Sequence, residues 1–164
     1  EEKTKKLIQA QKRHMHIGVP GHGIVIAVPI KSVGGGKTVA FLNGETDNAA
    51  YTPSLNYAHE LIVAVCSQGC TDMVMNAARA AGARGGTVLH GKGTGAKGAP
   101  KFYNITIAQE KEMILIVAAT SQKAAIMQSI LKKAGPDSKA GTIVFSLPTT
   151  QVAGFALLDN QDET

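Results

Sequence analysis

The sequence predicts an α+β protein built on a βαββαβ core. Three observations carry that prediction. Two β-branched runs each lead into an amphipathic stretch, each such stretch is followed by a further β-branched run, and glycine clusters or prolines punctuate the joints.

The elements follow in order. "HELIVAVCS" (59–67) is the dense apolar, β-branched run of a buried strand. "TDMVMNAARAAGA" (71–83) reads as a helix, with Thr71 or Cys70 near its cap, Asp72 in the first turn and Gly82 as its stop. Its face of Val74, Ala78 and Ala81 is small enough to lie close against a sheet. "GGTVLHG" (85–91) is a second strand, and "GKGTGAKGAPK" (91–101) a glycine- and lysine-rich loop. "EMILIVAAT" (112–120), extended backwards through "NITIAQEK", is a third strand. In "SQKAAIMQSILKKAGP" (121–136), Ile126, Ile130 and Ala134 share a helical face beside Met127 and Leu131. Lys132 and Lys133 favour the dipole of its last turn, and Gly135-Pro136 ends it. "TIVFSL" (142–147) is a fourth strand, closed by Pro148. This order is the ferredoxin-like split βαβ.

Residues 1–42 repeat part of that unit. Shifted by 119 positions, Pro29 falls on Pro148, Val33 on Val152 and Gly35 on Gly154 without a gap, while Leu7 and Ile8 fall on Ile126 and Met127. The expected organisation is therefore a partial ferredoxin-like repeat of one helix and one strand (1–42), a linker (43–56), a complete domain (57–155) and an acidic tail (156–164). "SVGGGKTVAF" (32–41) ends a glycine run in Lys37-Thr38, as a P-loop does. The opening glycine that motif needs is replaced by Lys31, and the turn-rich "VAFLNGETDN" follows where a helix belongs, so the run is a connector.

Composition bounds the chemistry. Seventeen basic against twelve acidic residues give +5 at pH 7, which suits an anionic ligand without selecting nucleic acid. With 4% aromatic residues there is no stacking platform for single-stranded bases, and no nucleic-acid partner is expected. Cys66 and Cys70 form a C-x3-C without a second pair, which argues against structural zinc and for thiols in a reducing compartment. No apolar run reaches the roughly 18 residues of a membrane span, and "EEKTKK" is not a signal peptide, so a cytoplasmic protein without membrane insertion is expected. No metal site is expected. His14 and His16 flank Met15 at i, i+2 and do not share a helical face, His22 reads as a turn residue, and His90 as a strand-end one. No Ser/His/Asp or Cys/His arrangement emerges and acid–base pairs are missing from the loops, so no catalytic residue is assigned and the chain is not read as an enzyme.

The anion site expected from the residues is the stretch 85–98. Gly93 to Gly98 spells G-x-G-x-x-G, but "APKFYNITIA" is no helix, which excludes a dinucleotide fold. Its glycines still let backbone N–H groups converge on an anion, and Lys92 and Lys97 add charge.

"MNAARAAGARGGTVLHGKGTG" (75–95), together with "GTIVFSLPTTQVAGF" (141–155), resembles the P-II family of nitrogen-regulatory signal proteins, nearest to divergent members with a short central loop. The resemblance implies a ferredoxin-like trimer that binds adenine nucleotides between subunits and contacts a regulated protein through the loop after the second strand. By position it puts Thr87 near the adenine, and Lys92, Gly93 and Gly95 in the K-G-x-G that wraps the phosphates; Gly86, Thr94 and Lys97 beside them complete the expected ligand-binding stretch. The family's Arg-Gln after that motif is Ala96-Lys97 here, and its Gly-Lys before the last strand is Gly141-Thr142, with Lys139 the nearest lysine. A triphosphate would lose charge-assisted contacts, so ADP or AMP is expected ahead of ATP as the effector, with no cofactor required. Tyr103 is not assigned the role of the tyrosine that some members modify. The alternatives are a metal-binding ferredoxin-like trimer using Cys66, Cys70 and a histidine, an enzyme that takes a phosphorylated substrate at the glycine loop, or a structural domain without ligand.

Overall fold

The structure, a computed structural model, describes residues 2–19, 22–30, 56–93, 101–102, 105–106 and 108–154. In chain order its elements are α1 (Glu2–Met15), β1 (Val25–Ala27), β2 (Asn56–Ser67), α2 (Thr71–Ala80), β3 (Thr87–Gly93), β4 (Lys101–Phe102), β5 (Ile105–Thr106), β6 (Gln109–Ala119), α3 (Thr120–Ala134), β7 (Ile143–Thr149) and β8 (Gln151–Ala153). They fall into two compact units, Tyr57–Leu147 on its own and Glu1–Asn56 with Pro148–Thr164.

In the larger unit the strand order is β3-β6-β2-β7, the ferredoxin-like arrangement expected from the sequence. β6 pairs antiparallel with both neighbours: Ser67 lies opposite Lys111 and His59 opposite Ala119, while Thr87 faces Leu115 and Gly93 faces Gln109. The pleat sends alternate residues to one face, where Ile62, Ala64 and Cys66 of β2 and Ile114, Ile116 and Ala118 of β6 are buried. There they meet Val74, Ala77 and Ala78 of α2 and Ile126, Ile130 and Ala134 of α3. Each such isoleucine contributes about 1.5–3 kcal/mol of burial. The small residues of α2 admit close packing, and the residue after the helix turn, Gly82, takes φ +101° as its stop.

Two details depart from expectation. The last strand does not close at Pro148 but runs through it to Thr149. β7 is an edge strand of the sheet among the described residues, a place where proline, which has no N–H to donate, is tolerated. The loop after β3 also contains a small hairpin, β4 with β5, in which Lys101 faces Thr106 and Phe102 faces Ile105.

The second unit holds the helix α1 and the strands β1 and β8. α1 buries Ile8 against Ile17 and Ala153, with Val25 and Ala27 alongside. β1 pairs antiparallel with β8, Val25 opposite Ala153 and Ala27 opposite Gln151, and the Thr150 N–H donates to the Ala27 carbonyl at 2.8 Å. Gly154 has φ +92°, and a β carbon there would meet the Gly23 carbonyl and lie 2.9 Å from Ile24 Cα, so the close approach requires glycine. The "GGGKT" connector and the acidic tail lie outside the described residues, as does all but the last residue of the linker.

Candidate functional site

The expected anion site begins on β3. Gly86 precedes the strand, and a β carbon there would sit 3.0 Å from Met75 Sδ, 3.1 Å from Ile114 Cγ2 and 3.2 Å from Ile116 Cγ1. Its lack of a side chain lets the chain enter β3 tight against the core. Thr87 is exposed at the start of the strand. Lys92 is exposed near the end, its Nζ 3.8 Å from Glu110 Oε1 on β6. A β carbon on Gly93 would come within 2.8 Å of Lys111 Cγ, so glycine there leaves room for the lysine stem to cross the strand. Lys111 Nζ donates to Ser67 Oγ at 3.2 Å. Thr94, Gly95 and Lys97 lie outside the described residues.

A row of neighbours leads from there across the sheet. Gly91 faces Lys111, Lys111 faces Ser67, and the Ser67 N–H donates to the Ala140 carbonyl at 2.9 Å. Ala140 sits in the α3–β7 connection among the remaining expected site residues. Lys139 is exposed, and its carbonyl accepts a weak bond from the Cys70 thiol at 4.0 Å. Gly141 has φ +55° and donates its N–H to the Ser138 carbonyl. Thr142 is fully buried; its N–H donates to the Ala134 carbonyl and its hydroxyl has no partner. Lys92 and Gly93 therefore share one end of the sheet with Lys139, Gly141 and Thr142 but occupy the opposite edge, while Gly86 and Thr87 lie at the other end of β3. Three strand spacings, about 14 Å, separate them within one chain.

Between them stands the N-terminus of α2, and it is already filled. Glu112, on β6 and only 6% exposed, accepts the Gly69 N–H at 3.0 Å, the Thr71 N–H at 3.1 Å and the Thr71 hydroxyl at 2.6 Å. These bonds, the Thr71 hydroxyl first, hold its carboxyl below the usual range against the opposing effect of burial, and nearby His90 helps, its Nδ1 4.0 Å from Oε1. Cys70, in the capping position, makes no side-chain cap bond, so a carboxylate from a distant strand does that work. An external anion finds this helix end occupied. Sequence reasoning missed Glu112; its signal is an acidic residue in phase with the inward-facing Ile114 and Ile116. Lys111 was missed too, a cation next along β6 from Glu110, the residue that Lys92 faces. Cys66 is buried and its thiol is pushed up to about 11, chiefly by burial, so it is not a thiolate near neutral pH.

The model of a family described as nitrogen regulatory protein P-II matches residues 59–155. Among solved structures, the crystal structure of Arabidopsis thaliana PII bound to citrate is similar at 21% identity, covering 56% of this chain and 77% of that one with a TM-score of 0.44. No curated protein sequence matches the chain. Among the described residues no helix is long and apolar enough to cross a membrane.

Proposed function

The chain belongs to the nitrogen regulatory protein P-II family, and from that premise we propose that it is a non-enzymatic regulator of nitrogen metabolism that senses an adenine nucleotide, ADP or AMP ahead of ATP. The nucleotide would be held by Gly86, Thr87, Lys92 and Gly93 with the glycine loop beyond them. Its binding would set the conformation of residues 92–102, and that loop would engage or release a cytoplasmic partner protein. The observation that carries this is an exposed Lys92 followed by Gly93 at the end of β3, inside the matched span, where the chain enters the glycine loop.

The division of the remaining contacts between opposite sheet edges supports a ligand shared between chains. β3 of one copy would bring Lys92, and the α3–β7 connection of the next would bring Lys139 and Gly141. A trimer has further support in a row of exposed apolar side chains. Leu89, Met113, Ile143 and Phe145 are all exposed, each next in its strand to a residue that packs on the helix-covered core, Val88, Ile114 and Val144. Phe145→Asp is expected to convert a trimer into monomers in sedimentation equilibrium; wild-type protein that sediments as a monomer overturns the assembly.

The nucleotide is tested by calorimetric titration with ATP, ADP and AMP. Lys92→Ala is expected to weaken binding by about 1.5–3 kcal/mol, tenfold or more in affinity. Folded wild-type protein that gives no heat with any of the three sinks the nucleotide assignment.

A further inference from the structure

We propose that His16 and His22 form a binding site for a divalent transition-metal cation at the C-terminal end of α1. The two histidines are drawn together by backbone geometry that helical periodicity does not reveal. α1 ends at Met15, and His16 takes a left-handed conformation, φ +52°, which carries its ring off the helix. The Val19 N–H then donates to the His16 carbonyl at 3.1 Å and the His22 N–H to the Val19 carbonyl at 3.0 Å. These bonds keep residue 22 near the helix end, where the two imidazole rings lie edge to face with centroids 6.2 Å apart. Metal–nitrogen bonds of about 2.0–2.1 Å put the centres of two imidazoles on one ion roughly 5–6 Å apart, so a small side-chain rotation closes the pair on a cation.

Three features favour that occupant. His22 Nδ1 lies 3.4 Å from the Met15 carbonyl oxygen. A proton on Nδ1 donated there leaves the Nε2 lone pair free for a metal, the arrangement by which backbone carbonyls orient metal-binding imidazoles. The last carbonyls of α1 also place the negative end of its dipole at the site. Both rings are exposed, so water can fill the other coordination positions. With two protein ligands and the remaining positions left to water, this is an open, exchangeable site and not a closed structural one; no group of three His, Cys, Asp or Glu side chains suited to a metal occurs among the described residues. Lys12 and Arg13 in the last turn disfavour cations held by charge alone. Neutral nitrogen ligands instead select borderline ions, with Cu2+ bound more tightly than Zn2+.

The test is calorimetric titration of the full chain with Cu2+ and separately with Zn2+, using wild type, His16→Ala, His22→Ala and, as a control away from the site, His90→Ala. The expected result is one Cu2+ per chain, weakened at least about tenfold by either His16→Ala or His22→Ala and unchanged by His90→Ala, with Zn2+ weaker throughout. Absence of Cu2+ binding by folded wild type overturns the proposal, and so does binding that both site variants retain.

Discussion

Glu112→Ala is expected to lower the unfolding free energy by about 2–4 kcal/mol, because it removes the cap of α2 and strands two backbone donors and a hydroxyl. The carboxylate is nearly buried and reaches Gly69 and Thr71 from a strand that lies more than forty residues further along the chain. Urea unfolding at pH 7 measures the effect, and a variant within about 0.5 kcal/mol of wild type would show that water replaces the cap. The same contacts fix a pH dependence. The folded carboxyl titrates below its unfolded value, so its stabilisation is complete above the unfolded value, about 4.3, and is lost as pH falls through the folded one. Glu112→Gln keeps the shape and removes the titration. Wild type should therefore lose more stability than this variant as pH falls below about 5; parallel losses in the two proteins would assign the acid sensitivity elsewhere.

The second large effect concerns the entry to β3. Ile114 is fully buried between Ala64 and Val88 on the flanking strands, and Ile114→Ala should cost about 2–5 kcal/mol through the cavity it leaves. Gly86→Ala should cost about 1–3 kcal/mol for the opposite reason, since its β carbon would press on Ile114, Ile116 and Met75. Met75 can yield, but the two branched, fully buried isoleucines cannot yield cheaply. Because Ile114→Ala deletes one of the crowding atoms, the double variant should be more stable than the sum of the single effects by at least about 0.5 kcal/mol. Strict additivity in chemical unfolding would mean that Gly86 is kept for its backbone alone.

What the sequence disclosed, and what it withheld, follow from the range of the forces involved. Periodicity located the strands around Ile62, Ile114 and Val144 and the helices around Val74 and Ile130, because core-facing positions repeat locally. It also found the helix and strand of the N-terminal segment. It did not find Glu112 as a cap, since that bond joins segments distant in sequence. It could not pair His16 with His22, because a left-handed residue breaks the helical phase on which the histidine spacing was judged. Thr142 illustrates a different limit. Resemblance marks it as a ligand contact, yet it stands in phase with Val144, which packs against the core, and it is itself fully buried. Pro148 misled for a local reason: proline ends a central strand but is tolerated on an edge, and only the sheet order reveals which strand is the edge.

The pairing of β1 with β8 also governs the order of assembly. The larger unit is one uninterrupted stretch of chain, whereas the smaller one is built from two stretches on either side of it. Joining Val25 to Ala153 in an unfolded chain closes a loop that contains the whole of Tyr57–Leu147. Once that stretch has folded, β2 and β7 are neighbours and most of the intervening chain drops out of the loop, which lowers the closure cost by about 1 kcal/mol. The strand pair of the smaller unit is thus closed at lower entropic cost after the larger one has folded than before it.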